Sequence, residues 1–341
     1  MPLFDLPLAE LRDYRSARPE PADFDAFWDA TLQSVGNDPL DVRIEPHEMQ
    51  LPLVETFHLW FSGFGRQPVH CLYLRPSREL SPEPVPLVVQ FLGYGDGTGS
   101  PLDWLSLPAA GLATIVMDTR GQGARARRAG ATGDSGGSES AHVEGFLTKG
   151  VLDRDDYYYR RVFTDAVRAL DAAATLDGID ADCLAVAGTS QGGGIALAAT
   201  ALSDKVRAAV VNVPFLCDYS RAVTVTNRAP YGELLAFLGT HRGSAEQALS
   251  TLDYFDGVNL AARAQAPALF SVALMDDICP PSTVMAAYNR YAGPTSLEIY
   301  PYNEHEGGGV AQDELSIDWL RAQLQPTAPT PHSHPMTRGI A

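Results

Sequence analysis

Cysteine is scarce in this chain of 341 residues: Cys71, Cys183, Cys217 and Cys279 stand far apart and none belongs to a C-x-x-C pair. Such spacing argues against a zinc site and against a disulfide framework, and four reduced thiols suit a cytoplasmic setting. Basic residues are also few. Lys and Arg number 25 against 42 Asp and Glu, a formal net charge of −17, and no Lys/Arg-rich run stands out. Nucleic acid and anionic membranes are poor partners for that balance. No stretch approaches the roughly 20 apolar residues of a membrane-spanning helix. Met1-Pro2-Leu3-Phe4-Asp5-Leu6 lacks the basic and long apolar segments of a secretory signal, so a soluble cytoplasmic protein is expected. No internal repeat is visible. Hydrophobic residues, at 45%, are enough for a substantial core. The length suits one α/β domain with insertions, or two domains at most.

The most informative stretch is Leu184-Ala185-Val186-Ala187-Gly188-Thr189-Ser190-Gln191-Gly192-Gly193-Gly194. Its centre, Gly188 to Gly192, fits G-x-S-x-G, the nucleophile elbow of α/β-hydrolases. Leu184 to Ala187 form the short apolar run of a buried parallel strand, and Ile195 to Ala199 read as a helix. Strand, sharp turn and helix are the context that the motif needs. Ser190 is then held at the turn with its hydroxyl exposed, and the backbone N–H of Gln191 points to where an oxyanion would form.

Around this centre the pattern alternates strand and helix. Phe24, Phe27, Trp28 and Leu32 recur at helical spacing between Pro21 and Val35. From Val42 to Leu74 the chain reads as an antiparallel hairpin with a turn at Gly63 to Gln67. Leu87 to Phe91 and Ala113 to Met117 are buried strands ending in the glycine-rich loops Gly93-Tyr94-Gly95 and Arg120-Gly121-Gln122-Gly123. Residues 124–150, rich in Gly, Ser and Arg, are expected to form a long surface loop. A helix follows from Tyr157 to about Leu176. Ala208 to Val213, Pro267 to Leu274 and Ser296 to Tyr300 are further strands, and Leu315 to Leu324 a closing helix. Residues 215–262 look helical and fit a cap insertion over the strand ends. The tail from 326 to 341 is expected to be disordered, with His332 and His334 solvated rather than metal-binding. The result is an α/β-hydrolase fold over residues 1–325: a mostly parallel central sheet, an N-terminal extension and a helical cap.

The required chain order is Ser, then Asp or Glu, then His. Asp276 and Asp277 end one strand after Ser190, and His305 follows another. His305 would take the Ser190 proton, and one of the two aspartates would fix the imidazole tautomer and stabilise its charged form. A second oxyanion donor comes from the loop after an early strand, where the backbone N–H of Tyr94 is suitably placed.

These pieces resemble carbohydrate esterase family seven, the acetyl xylan esterases and cephalosporin C deacetylases. The resemblance rests on Arg120-Gly121-Gln122-Gly123, Gly188-Thr189-Ser190-Gln191-Gly192-Gly193 and His305-Glu306. Met1 to Tyr14, Tyr157 to Ala166 and Met275 to Asn289 support it. It implies removal of acetyl groups from small sugars and from cephalosporin C, by a serine mechanism without metal or cofactor. By motif position it makes Asp276 the triad acid and gives Arg120 and Gln122 a structural role in the loops around the site. It places Pro230 and Tyr231 in a cap segment that narrows the acyl pocket. It also implies a closed homo-hexamer whose sites face an internal cavity. One departure is Leu92-Gly93-Tyr94, where the family often has His-Gly-Tyr.

Overall fold

The computed structural model describes residues 3–49, 51–81, 84–125, 128–134 and 145–324. The expected tail at 326–341 and part of the 124–150 loop lie outside the described residues. Nine strands form one sheet: β1 (Arg43–Pro46), β2 (Val54–Ser62), β3 (Pro68–Pro76), β4 (Val85–Phe91), β5 (Ala113–Met117), β6 (Ile179–Thr189), β7 (Val206–Asn212), β8 (Ala268–Ala273) and β9 (Thr295–Tyr300). Their spatial order is β1-β2-β3-β5-β4-β6-β7-β8-β9. The first three strands and the β3–β5 pair run antiparallel, and every pair from β5–β4 to β9 is parallel. This is the expected α/β-hydrolase architecture.

The strand sequences account for the layers. In β4 and β6, Leu87, Val89, Leu184 and Val186 enter one apolar cluster, while Val88 and Ala185 enter a second on the opposite face. Both faces are covered, so these strands read as unbroken apolar runs rather than alternating ones. On one face lie the helices Tyr158–Ala173 and Gln191–Leu202; Leu320 and Leu324, from the helix Gly309–Leu324, pack on the other. The helix Gln191–Leu202 is buried almost all round, which explains its glycine- and alanine-rich face. A Cβ on Gly194 would sit 2.3 Å from the Phe215 carbonyl oxygen.

Residues 215–262 form no strand and carry the helices Tyr219–Val225, Tyr231–Thr240, Ala245–Leu252 and Gly257–Ala261, between β7 and β8. The surface-loop expectation for 124–150 holds only in part where the chain is described: residues 124, 125, 129, 131 and 145 are exposed, but others turn inward. Thr132 and Asp134 are buried, and Phe146–Thr148 is a helical turn with Phe146 and Leu147 inside. Polar composition misled because interior partners neutralise it. Asp134 is held by Arg161 at 3.0 Å and by Lys149, and Thr132 Oγ1 accepts the His70 N–H at 2.9 Å. The helix Pro281–Tyr288 went unread, although Pro281 at its first turn was the available signal.

Candidate active site

Ser190 lies between β6 and the helix Gln191–Leu202 with φ 60° and ψ −121°. A non-glycine residue in that region is strained by about 1–3 kcal/mol, so its surroundings must hold it. They do: its N–H donates to the Asn212 carbonyl at 2.9 Å, and its own carbonyl accepts from Phe215 N–H at 2.9 Å. The flanking glycines are steric necessities. A Cβ on Gly188 would meet the Gly192 backbone at 2.2 Å, and one on Gly192 would meet the Phe91 carbonyl oxygen at 2.2 Å.

His305 follows β9 and faces the turn. Its Nε2 is 3.0 Å from Ser190 Oγ, and its Nδ1 is 2.8 Å from Asp276 Oδ2. The carboxylate assigns the proton to Nδ1, which leaves Nε2 to accept from the serine hydroxyl. Asp276 is fully buried. Its other oxygen accepts the N–H groups of Ile278 at 2.8 Å and Cys279 at 2.9 Å. Asp277, one residue on, turns away to Arg228 at 3.5 Å. Geometry thus brings Asp276 to the histidine and leaves Asp277 outside. Glu306 braces the histidine loop through Asn303 Nδ2 at 2.7 Å and Glu304 N–H at 3.1 Å. Cys279 Sγ is 4.0 Å from Ser190 Oγ, but burial pushes its thiol well up and keeps it a poor rival nucleophile.

The Gln191 N–H belongs to the first helical residue, which has no partner within a helix. Its side chain does a job that the sequence reading missed. Nε2 donates to the Leu92 carbonyl at 3.1 Å and to Gln122 Oε1 at 3.1 Å, and Gln122 Nε2 returns a bond to Gln191 Oε1 at 2.8 Å. Gln122 Oε1 also accepts the Gly95 N–H at 2.7 Å. The two glutamines therefore clamp the Leu92–Gly95 loop to the elbow, next to Tyr94. The Tyr94 hydroxyl donates to Glu233 at 2.8 Å and accepts N–H groups from Phe146 at 2.8 Å and Leu147 at 3.2 Å. Burial pushes both Tyr94 and Glu233 up. Leu92 packs into an apolar cluster with Leu72, Leu74 and Val116.

Arg120 is fully buried and forks onto Asp165 at 2.6 and 2.7 Å. Removing one partner of such a pair costs about 3–5 kcal/mol. Ser190 and His305 open on a cleft of about 810 Å³ whose wall includes Tyr94, Asp96, Arg128, Pro230 and Ile278. A second hollow of about 610 Å³ reaches the same pair past Leu92 and Trp104. Pro230 lines the cleft and Tyr231 does not. Tyr231 is completely buried, with its hydroxyl donating to the Cys217 carbonyl at 2.9 Å and its ring 4.5 Å from that of Phe215. It opens the helix Tyr231–Thr240, where consecutive side chains diverge by about 100°, so its neighbour's place on the cleft wall does not carry over.

The acetyl xylan esterase (AXE1) family model matches residues 1–323. The chain belongs to the acetyl xylan esterase family. The family-seven resemblance read from the motifs is thereby met. An acetyl xylan esterase from Paenibacillus sp. R4 superposes with a TM-score of 0.85 at 34% identity, covering 93% of this chain and 99% of that one. The acetyl xylan esterase 1 of Thermoanaerobacterium sp. JW/SL YS485 gives 0.84 at 32%, covering 94% and 99%. Acetyl esterase Axe7A of Xylanibacter ruminicola is 28% identical over 310 residues, 89% of this chain and 68% of that protein. Among the described residues no helix of this family member is long and apolar enough to cross a membrane.

Proposed function

We propose that this protein is a serine esterase that removes acetyl groups from small acetylated sugars, xylo-oligosaccharides and cephalosporin C. The observation that carries the reading is the Ser190–His305–Asp276 line, at 3.0 and 2.8 Å, opening on a cleft. Ser190 Oγ attacks the acetyl carbonyl while His305 Nε2 takes its proton. Asp276 holds the imidazole and stabilises its charge. The N–H groups of Gln191 and Tyr94 receive the oxyanion. His305 then returns the proton to the departing sugar oxygen, and water clears the acyl-enzyme by the same path. Arg120 and Gln122 act at a distance by fixing loops. Pro230 limits the acyl pocket, while Tyr231 supports it from behind. The mechanism needs no metal or cofactor.

Small substrates are favoured on two grounds. Extra methylenes in a pocket without room for them cost roughly 1–3 kcal/mol. The family resemblance also supports a homo-hexamer whose internal cavity excludes polymer, and the four free thiols suit a cytoplasmic location. The test is the rate of acetyl release from acetylated xylo-oligosaccharides and from acetylated xylan at matched acetyl concentration, with acetyl against octanoyl esters alongside and the mass measured in solution. Oligosaccharides and acetyl esters should win, in a hexamer. Equal rates on polymer by a monomer, or on octanoyl esters, would overturn restricted access and the small pocket respectively.

A further inference from the structure

Three histidines that take no part in the site meet at the antiparallel end of the sheet. His58 lies on β2, His70 on β3, and His47 and Glu48 directly after β1. The His47 and His58 rings stack with centroids 4.5 Å apart. One donor atom each from His47, Glu48 and His58 lie within 4.8 Å of one another. Glu48 Oε2 is 3.6 Å from His58 Nε2 and 3.7 Å from His47 Nδ1. Two donors on a tetrahedral zinc ion, each about 2.0–2.2 Å from it, stand about 3.3–3.6 Å apart. The present spacing needs little adjustment.

The protons are arranged to match. The Asp118 carboxylate accepts N–H groups from Thr98 and Thr132 at 3.1 Å and from Ala131 at 2.5 Å. It lies 3.6 Å from His70 Nδ1, a buried nitrogen with no hydrogen-bond partner among the described residues. That carboxylate favours a proton on His70 Nδ1, so His70 Nε2 is an acceptor. His58 Nδ1 then donates to it across 2.9 Å, and the His58 Nε2 lone pair is left facing Glu48. A metal-bound histidine has this form, giving its other N–H to an acceptor behind it. His47 Nδ1 accepts the Met49 N–H at 3.0 Å and is therefore also unprotonated; a metal would take over that lone pair. Glu48 is largely exposed, with 86% of its side chain accessible, so an ion can arrive from solvent and keep a water in the fourth position.

We propose that His47, Glu48 and His58 bind a divalent transition-metal ion of the zinc type, with His70 and Asp118 as the supporting shell. The ion ties the segment after the exposed β1 to β2 and stabilises the sheet edge, because it binds the folded chain and not the unfolded one. His47, Glu48 and His58 do not line the cleft on which Ser190 and His305 open, so turnover does not need the ion.

The test uses the full chain stripped by chelator and titrated with Zn²⁺ in a calorimeter, with melting followed in parallel. One equivalent should bind at this site and raise the melting temperature. His58→Gln should weaken it about a hundredfold or more and Glu48→Gln at least about tenfold, and Zn²⁺ should no longer raise the melting temperature of either variant over its own metal-free value. Co²⁺ should give the visible spectrum of a tetrahedral ion in the parent and lose it in His58→Gln. Two further variants guard against other donors. His305→Ala tests the Asp276–Cys279–His305 group of the active site, and a chain ending at 325 lacks His332 and His334. Binding that survives both His58→Gln and Glu48→Gln, or that vanishes in His305→Ala or in the shortened chain, overturns the proposal. So does the absence of saturable binding.

Discussion

Two regions of this molecule use the same device to different ends. At the parallel end of the sheet, buried Asp276 sets the proton on His305 Nδ1, and the far nitrogen meets a serine hydroxyl at 3.0 Å. At the antiparallel end, Asp118 sets the proton on His70, which passes the choice to His58, and the far nitrogen meets a glutamate at 3.6 Å. In both, a carboxylate chooses the tautomer. On the two proposals above, what stands beyond the imidazole chooses the chemistry: a hydroxyl gives a nucleophile, while a second carboxylate gives a cation site. Residue type alone does not separate the two.

The largest expected effect is at the elbow. Ser190→Ala should cost on the order of 10⁶ in kcat with the melting temperature kept, since such nucleophiles act as a unit with their base. Substantial hydrolysis by pure mutant protein would leave the parallel end without its special role. Next comes the aspartate pair. Asp276→Asn should cost about 10⁴ in kcat by favouring the wrong tautomer. Asp277→Asn should stay within a few-fold, because its side chain meets Arg228 instead. Equal losses would mean that position beside the histidine does not decide.

Smaller effects sharpen the comparison. Tyr94→Phe removes the hydroxyl that joins the early loop to Glu233 and to the Phe146 N–H. Losing a hydrogen bond to a charged group costs about 1.5–3 kcal/mol, and if about half of that reaches the transition state kcat falls roughly three- to tenfold. An unchanged kcat would free the loop from that tether. Burial holds the Glu233 carboxyl above its ordinary 4.5. The folded chain therefore keeps a proton that the unfolded chain has released. Its contribution to stability is complete below 4.5 and is lost as pH rises through the raised value. Glu233→Gln should flatten that part of the melting-temperature profile; an unaltered slope would assign it to another group.

The catalytic end was legible because G-x-S-x-G requires a strand-turn-helix and because Asp276 and His305 close strands in the required order. Burial on both faces also made β4 and β5 plain as apolar runs. The Gln191–Gln122 clamp was not legible, since nothing local marks which way a glutamine amide points. Tyr231 was placed beside Pro230 in the cap by the family resemblance, which says nothing of the rotation a helix start imposes. The histidine cluster is invisible in sequence because strand register makes it. Trp60 pairs with His70 and Glu45 with His58, and only that pairing gathers residues 47, 58 and 70.

The central claim is that Ser190 is the nucleophile and His305 its base. A fluorophosphonate probe, followed by intact mass and peptide mapping, tests it most directly. The account predicts one adduct per chain, on Ser190, absent in Ser190→Ala and formed far more slowly in His305→Ala. An adduct on another residue, or continued acetyl-ester turnover by fully labelled protein, would contradict it.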